Sequence, residues 1–237
     1  MKHKQPEAVV KLPQQVMING QQTDVWPAGQ SLEKLVEPSV RMTDFTDTDR
    51  YHDHLIEKIL AMESDPRHVQ SIFRGGCGTK VRRVDEWRFP VARLIHARAM
   101  NLCRQVLGDK PFYVDDAWAN IYRQGDYCMP HSHLRSAASV VYFLSLGDED
   151  PDHPMSGRFC IGDPRLRACC QMEEGRMTHS MTPEVRPGTM IVFPSQLVHF
   201  VNPYTGRSPR ITLAWNVTLT ALAGSAGDRW AAGAKKA

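Results

Sequence analysis

Two hydrophobic periodicities divide the chain. Between residues 46 and 107 apolar side chains recur at helical spacing, and beyond residue 111 they fall into short runs broken by turns. Tyr51, Leu55, Ile56, Ile59 and Leu60 predict a first helix. It begins near Thr46, where Thr46 and Asp49 fit a capping box, and Asp65-Pro66 stops it. A second helix is predicted over Pro90 to Leu107, with Pro90 in its first turn, Val91, Leu94, Ile95, Leu102 and Val106 as the apolar stripe, and Gly108 at its end. Residues 1–40, punctuated by Pro6, Pro13, Pro27 and Pro38, predict loops and short strands. The glycine-rich stretch from Arg74 to Lys80 reads as a flexible turn. Its spacing does not fit the GxxxxGK[ST] phosphate loop, and no strand is predicted ahead of it.

From residue 111 the predicted strands are Tyr113–Tyr122, Ala138–Leu146, Gly157–Gly162, Gly188–Pro194, Leu197–Asn202 and Arg210–Leu219. Short strands with no helical pattern between them indicate an antiparallel sandwich or jelly roll, not a Rossmann sheet. The fold class is mainly β with flanking helices. Residues 1–110 supply short strands and two helices packed on the core, 111–219 form that core, and 220–237 are an Ala/Gly-rich tail, loose or weakly helical.

Composition narrows the picture only a little. The chain has 237 residues, 42% hydrophobic and 23% charged, which is ordinary globular usage and excludes a disordered chain. Net charge is +3, too small and scattered for a nucleic-acid partner. Of the 29 basic residues 20 are Arg, the side chain that forks onto carboxylates and phosphates. No apolar run reaches the length of a signal-peptide core or a membrane span, so no membrane partner is expected and a cytoplasmic chain is. Six cysteines, at 77, 103, 128, 160, 169 and 170, form no CxxC pair and read as reduced thiols. A homodimer is compatible with these features.

Three features of the β-rich half carry chemistry. His131 and His133 stand two apart behind the turn at Gly125, and in an extended segment that spacing puts both rings on one face. His199 follows 66 residues after His133. Arg210 and Thr212 open the last strand, again on one face. A lone strand histidine is usually a core residue. Two on one face, with a distant third and an Arg-x-Thr behind it, favour a metal site.

The stretch from about Asp115 to Val217 resembles the 2-oxoglutarate and Fe(II)-dependent oxygenase superfamily, whose fold is the double-stranded β-helix, or jelly roll. It is most similar to the prolyl-hydroxylase-like branch and its bacterial members of unassigned substrate. His131 falls at the family's first histidine and His199 at its distal one. Arg210 comes eleven positions beyond His199, and Thr212 completes the Arg-x-Thr. Tyr122, nine residues before His131 with Gly125 between them, stands where the family carries a strand tyrosine. The run from Val185 to Phe193 resembles the family's turn and apolar strand.

The resemblance implies Fe(II), 2-oxoglutarate and O2, oxidative decarboxylation of 2-oxoglutarate to succinate and CO2, and hydroxylation of a small-molecule or peptide substrate of unknown identity. Arg210 would clamp the far carboxylate of 2-oxoglutarate, with the Thr212 and Tyr122 hydroxyls completing its hydrogen bonds; Arg207 is a rival cation in a loop. One position departs from the family: where an Asp or Glu is expected, residue 133 is His. Either His133 completes a three-imidazole set, or an acid such as Asp163 does; Asp163 also reads as a turn residue before proline. Asn120 and Trp118 would line the cavity if their face points inward, although Trp118 also reads as a buried core indole, as does Trp215. Asn216 is treated alike. Arg135 and Arg165 are candidate substrate contacts. His52 and His54 are read as surface residues of the first helix, and His153 and His179 as solvated. Two alternatives stay open: a three-histidine cupin that does not use 2-oxoglutarate, whose second motif and acidic ligand are missing, and a jelly-roll binding module without catalysis.

Overall fold

The structure is a computed structural model, described over residues 13–36, 40–71, 75–133, 135–162 and 180–220. In chain order its strands are β1 (Gln15–Ile18), β2 (Gln21–Asp24), β3 (Glu33–Val36) and β4 (Val40–Asp44). A 3-10 segment, Thr46–Tyr51, leads into α1 (His52–Glu63), followed by β5 (Val69–Ser71), β6 (Gly76–Cys77) and β7 (Thr79–Arg82). After α2 (Pro90–Leu107) come β8 (Phe112–Tyr122), β9 (Tyr127–His131), β10 (Ala138–Ser145), β11 (Phe159–Gly162), β12 (Ser180–Met181), β13 (Thr189–Pro194), β14 (His199–Val201) and β15 (Arg210–Leu219).

Beyond the β1–β2 hairpin the strands form two antiparallel sheets. The larger runs β3-β4-β13-β10-β15-β8-β7-β5 and the smaller β12-β11-β14-β9-β6. Strands from the first 110 residues therefore extend the same sheet that β10 and β15 centre. Period-two alternation sorts side chains onto its two faces. Ala117, Ala119 and Ile121 of β8, Val140, Tyr142 and Leu144 of β10, and Leu213, Trp215 and Val217 of β15 pack with Leu94, Ile95 and Leu102 of α2 and Leu55 and Ile59 of α1. The other face turns toward the smaller sheet, where Tyr122, Phe143, Phe159, Ile161, Phe193 and Val201 form a second core. This is the jelly-roll sandwich the strand pattern predicts. Each Val, Leu, Ile or Phe side chain among them, fully buried, contributes about 1.5–3 kcal/mol of hydrophobic stabilisation.

Helix α2 matches its prediction end for end. Pro90 occupies the first turn after extended Phe89, and Gly108, at φ +70°, ends it with its N–H on the Arg104 carbonyl. The first helix differs. Residues 46–51 are 3-10, the α-helix starts only at His52, and no side chain caps either segment. The Thr46–Asp49 capping box does not form. Thr48 turns inward instead: its hydroxyl donates to the Phe45 carbonyl and lies 2.9 Å from the Tyr142 hydroxyl. The same tightening rotates His52 into the core, 2.7 Å from that hydroxyl, so the surface reading of His52 is corrected; His54 is exposed. The turn expected from Arg74 to Lys80 is also corrected, because β6 and the start of β7 fall within it and pair with β9 and β8. The tail from Ala221, with His179, lies outside the described residues.

Candidate metal centre

Strand pairing builds the centre. His131 ends β9, His199 begins β14, and the two are partners in that ladder. His133 follows two residues on, its backbone N–H donating to the Ser195 carbonyl at 2.8 Å. The three rings converge: centroids are 4.3 Å apart for His131 and His199, 5.0 Å for His131 and His133, and 5.2 Å for His133 and His199. One ligand-capable nitrogen from each lies within 4.8 Å of the others, and they are the metal-capable cluster among the described residues.

Hydrogen bonds set the tautomers. His131 Nδ1–H donates to the Met129 carbonyl at 2.8 Å, and His199 Nδ1–H to the Leu197 carbonyl at 2.9 Å. A carbonyl only accepts, so each Nδ1 carries the proton and each Nε2 offers its lone pair. Burial pushes the His199 pKa down to about 3 and that of His133 to about 4, with the His131 charge adding to each; burial lowers His131 as well. All three rings are neutral at pH 7, the form that binds a metal ion.

The second element is Arg210. It opens β15 opposite Tyr122 and is 3% exposed, and its Nη1 is the buried side-chain polar atom without a hydrogen-bond partner among the described residues. Its guanidinium carbon sits 5.8 Å from both the Tyr122 and Phe143 ring centres, and burial pulls its pKa down to about 10. An isolated buried cation costs several kcal/mol, a cost that an anion entering the cavity would offset. Gly157 makes room for it: at φ +60°, a Cβ there would stand 3.0 Å from Arg210 Cδ and 2.9 Å from Tyr204 Cδ2.

A polar relay crosses the same sheet face. Trp118 Nε1 donates to Asn120 Oδ1 at 2.8 Å, and Asn120 Nδ2 donates to Thr212 Oγ1 at 3.3 Å. The Tyr122 hydroxyl is buried, and that burial pushes its pKa up. A cavity of about 60 Å³ touches the histidines, Arg210, Thr212, Tyr122, Asn120 and Trp118. Trp118 is thus buried and cavity-lining at once, its ring 6.3 Å from that of His133. Trp215 also borders the cavity, but its indole belongs to the helix-side core and donates to His96 Nδ1 at 3.1 Å. Asn216 lines the cavity and accepts from the Ser139 hydroxyl. Arg135 and Arg207 are exposed, and neither is among the lining residues; His153 is exposed beside Asp150. Asp163 and Arg165 lie outside the described residues.

Sequence reasoning missed Lys80. It sits on β7 opposite Asn120, lines the cavity, and holds its Nζ 4.0 Å from the Trp118 ring centre. The alternation of Val81 with the charged Lys80 and Arg82 carried the signal, and the glycines just before it masked that signal.

Residues 116–216 match a family model described as "Putative 2OG-Fe(II) oxygenase". None of the curated proteins matches in sequence. Solved structures with this fold include a prolyl hydroxylase from Trichoplax adhaerens in complex with a hypoxia inducible factor peptide fragment. It has TM-score 0.56 and 12% identity, over 74% of this chain and 81% of that one. A prolyl-4-hydroxylase from Pseudomonas putida has TM-score 0.52 and 15% identity, over 76% and 92%. HygX from Streptomyces hygroscopicus, with nickel and 2-oxoglutarate bound, has TM-score 0.54 and 14% identity, over 76% and 82%. Over residues 116–216 the chain is therefore similar to a family whose description names 2-oxoglutarate and Fe(II).

Proposed function

We propose that this chain is a non-haem Fe(II) and 2-oxoglutarate-dependent dioxygenase in which His131, His133 and His199 bind the metal and Arg210 binds the cosubstrate. The observation that carries the reading is the pairing of two incomplete features in one cavity: three neutral imidazoles with convergent nitrogens, and a buried guanidinium with an unmet donor. Both fit the groups such an oxygenase uses. Facial nitrogen ligands suit Fe(II) with positions left open, and a guanidinium fork suits a carboxylate.

When bound, the iron and 2-oxoglutarate supply the oxidising chemistry: O2 is consumed, 2-oxoglutarate becomes succinate and CO2, and a substrate C–H becomes C–OH. The chain supplies binding and order. The Nδ1–H bonds to Met129 and Leu197 fix the His131 and His199 rings with Nε2 inward. Arg210 receives the far carboxylate, and the hydroxyls of Thr212 and Tyr122 on the same sheet face are its further donors. Phe193 and Phe159, whose ring centres lie 4.8 and 6.0 Å from that of His199, shield one flank of the centre from water. His133 takes the position of the usual carboxylate, which leaves the ligand set neutral.

The unmet donor on Arg210 favours this reading over a cupin without 2-oxoglutarate or a module without catalysis, because neither needs a buried carboxylate receptor. A small-molecule or peptide substrate and a cytoplasmic setting complete the proposal. The free thiols Cys77, Cys103, Cys128 and Cys160 support that setting, and no helix among the described residues is long and apolar enough to cross a membrane. The test is anaerobic titration of Fe(II) and then 2-oxoglutarate. One equivalent of iron and a visible charge-transfer band that appears only with 2-oxoglutarate are expected; iron binding without that band contradicts the proposal.

A further inference from the structure

The cavity holds one cation that the proposed function leaves unused. Lys80 faces the cavity beside Asn120, at the opposite end of the Lys80–Asn120–Thr212 row from the strand that carries Arg210. It makes no salt bridge among the described residues. The carboxylate that acts on it, Asp116, is on the exposed part of β8, and burial lowers the lysine's pKa despite that acid. The Trp118 ring lies against its ammonium.

The charges around this cavity do not balance. No Asp or Glu is among the described residues that line it. A divalent metal, Arg210 and Lys80 bring four positive charges to neutral ligands, and 2-oxoglutarate returns two negative ones. A carboxylate at position 133 would cancel one of the remaining two; His133 does not. A partly dry cavity does not tolerate such an excess unless an anion arrives to meet it. Lys80 presents a single ammonium, and no helix end is among the described lining residues, so the site offers the one charge a carboxylate needs and not the several donors that surround a phosphate.

We infer that the substrate is a carboxylate-bearing molecule whose acid group is received by Lys80, with the face of Trp118 alongside it. The inference rests on the oxygenase reading and deepens it by naming the substrate class. Lys80 is then a specificity-determining residue, while Arg210 serves the cosubstrate.

The test is calorimetry on the full chain loaded with Ni(II) and 2-oxoglutarate, which holds the site without turnover. The probes are acetate and 3-phenylpropionate, each against its neutral amide. The acids are expected to bind and the amides not. Lys80→Met should weaken acid binding by about tenfold or more, the scale of one charge-assisted contact, and Lys80→Arg should keep part of it. The dissociation constant of 2-oxoglutarate, measured in the same preparations, should not move. Equal binding of acid and amide, or binding of neither, overturns the inference. So does Lys80→Met weakening 2-oxoglutarate instead, since the ammonium would then belong to the cosubstrate. If the wild type fails to bind 2-oxoglutarate on its metal, the oxygenase reading fails first and the inference falls with it.

Discussion

His131 and His199 face each other across the β9–β14 ladder, and each anchors its ring in the same way, by donating Nδ1–H to the carbonyl two residues back along its own chain. Met129 and Leu197 supply those carbonyls, so backbone rather than side chains sets both tautomers. The pair is preorganised for a metal before one arrives. His133, held by its backbone bond to Ser195 and by the edge of Trp118, closes the third side.

Arg210 gives the first prediction, and its sign is distinctive. In the apoprotein its guanidinium is buried without an anion, so Arg210→Met should leave stability unchanged or raise it. With 2-oxoglutarate the order reverses: the wild type gains thermal stability and the variant does not. The loss of 2-oxoglutarate affinity should correspond to about 2–5 kcal/mol, the cost of truncating one side of a buried charged pair, with iron affinity retained. Melting curves with and without the cosubstrate decide it.

Acid should destabilise the apoprotein through the same histidines. In the unfolded chain they titrate near 6.5, whereas in the fold His133 is held to about 4 and His199 to about 3. Below pH 6.5 the unfolded chain binds more protons, so stability is complete above that value and declines as pH falls toward the folded values. His52 and His96, also lowered by burial, act in the same direction. The informative comparison is therefore with His199→Gln, whose melting temperature should fall less steeply between pH 7 and pH 5. Parallel profiles would remove His199 from the account.

Gly157 is expected to be intolerant of a side chain. Alanine there meets both a positive φ and the close approach to Arg210 and Tyr204. Gly157→Ala should cost about 1 kcal/mol or more of stability and weaken 2-oxoglutarate binding, while iron binding stays at the wild-type level. Equal loss of iron would mean the substitution disturbs the whole sandwich, not the guanidinium.

Tyr142 separates structure from function. Its hydroxyl joins Thr48 and buried His52 on the helix side of the sheet, away from the cavity. Tyr142→Phe should lower stability by about 1–3 kcal/mol, because it strands buried polar atoms, and leave iron and 2-oxoglutarate binding unchanged. Chemical denaturation alongside the metal titration measures both.

These sites differ in how plainly the sequence announced them. Helix α2 carries a proline start, a glycine stop and an unbroken apolar stripe, all local signals, and its bounds were readable in full. Strand β15 was equally clear, and its alternation put Arg210 and Thr212 on one face and Leu213 and Trp215 on the other. The His131–His133 spacing carried its own geometry. What escaped depends on distant partners. Thr46 and Asp49 have the residue types of a capping box, but Tyr142, 94 residues beyond Thr48, draws that hydroxyl inward and tightens the turn into a 3-10 segment. The buried position of His52 follows from the same contact. Lys80 was hidden because glycines at 75, 76 and 78 read as a turn, whereas Gly76 and Gly78 take positive φ values to let the backbone pass close to Tyr127 and Tyr122. No spacing rule on one chain reports such an approach.

The most direct test of the central claim is an anaerobic crystal structure with a divalent metal and a non-reactive analogue of 2-oxoglutarate. The account predicts one metal ion bound by nitrogens of His131, His133 and His199, with the analogue's far carboxylate on the Arg210 guanidinium. A metal ligated by an acid such as Asp163 in place of His133, or a carboxylate held away from Arg210, would contradict it.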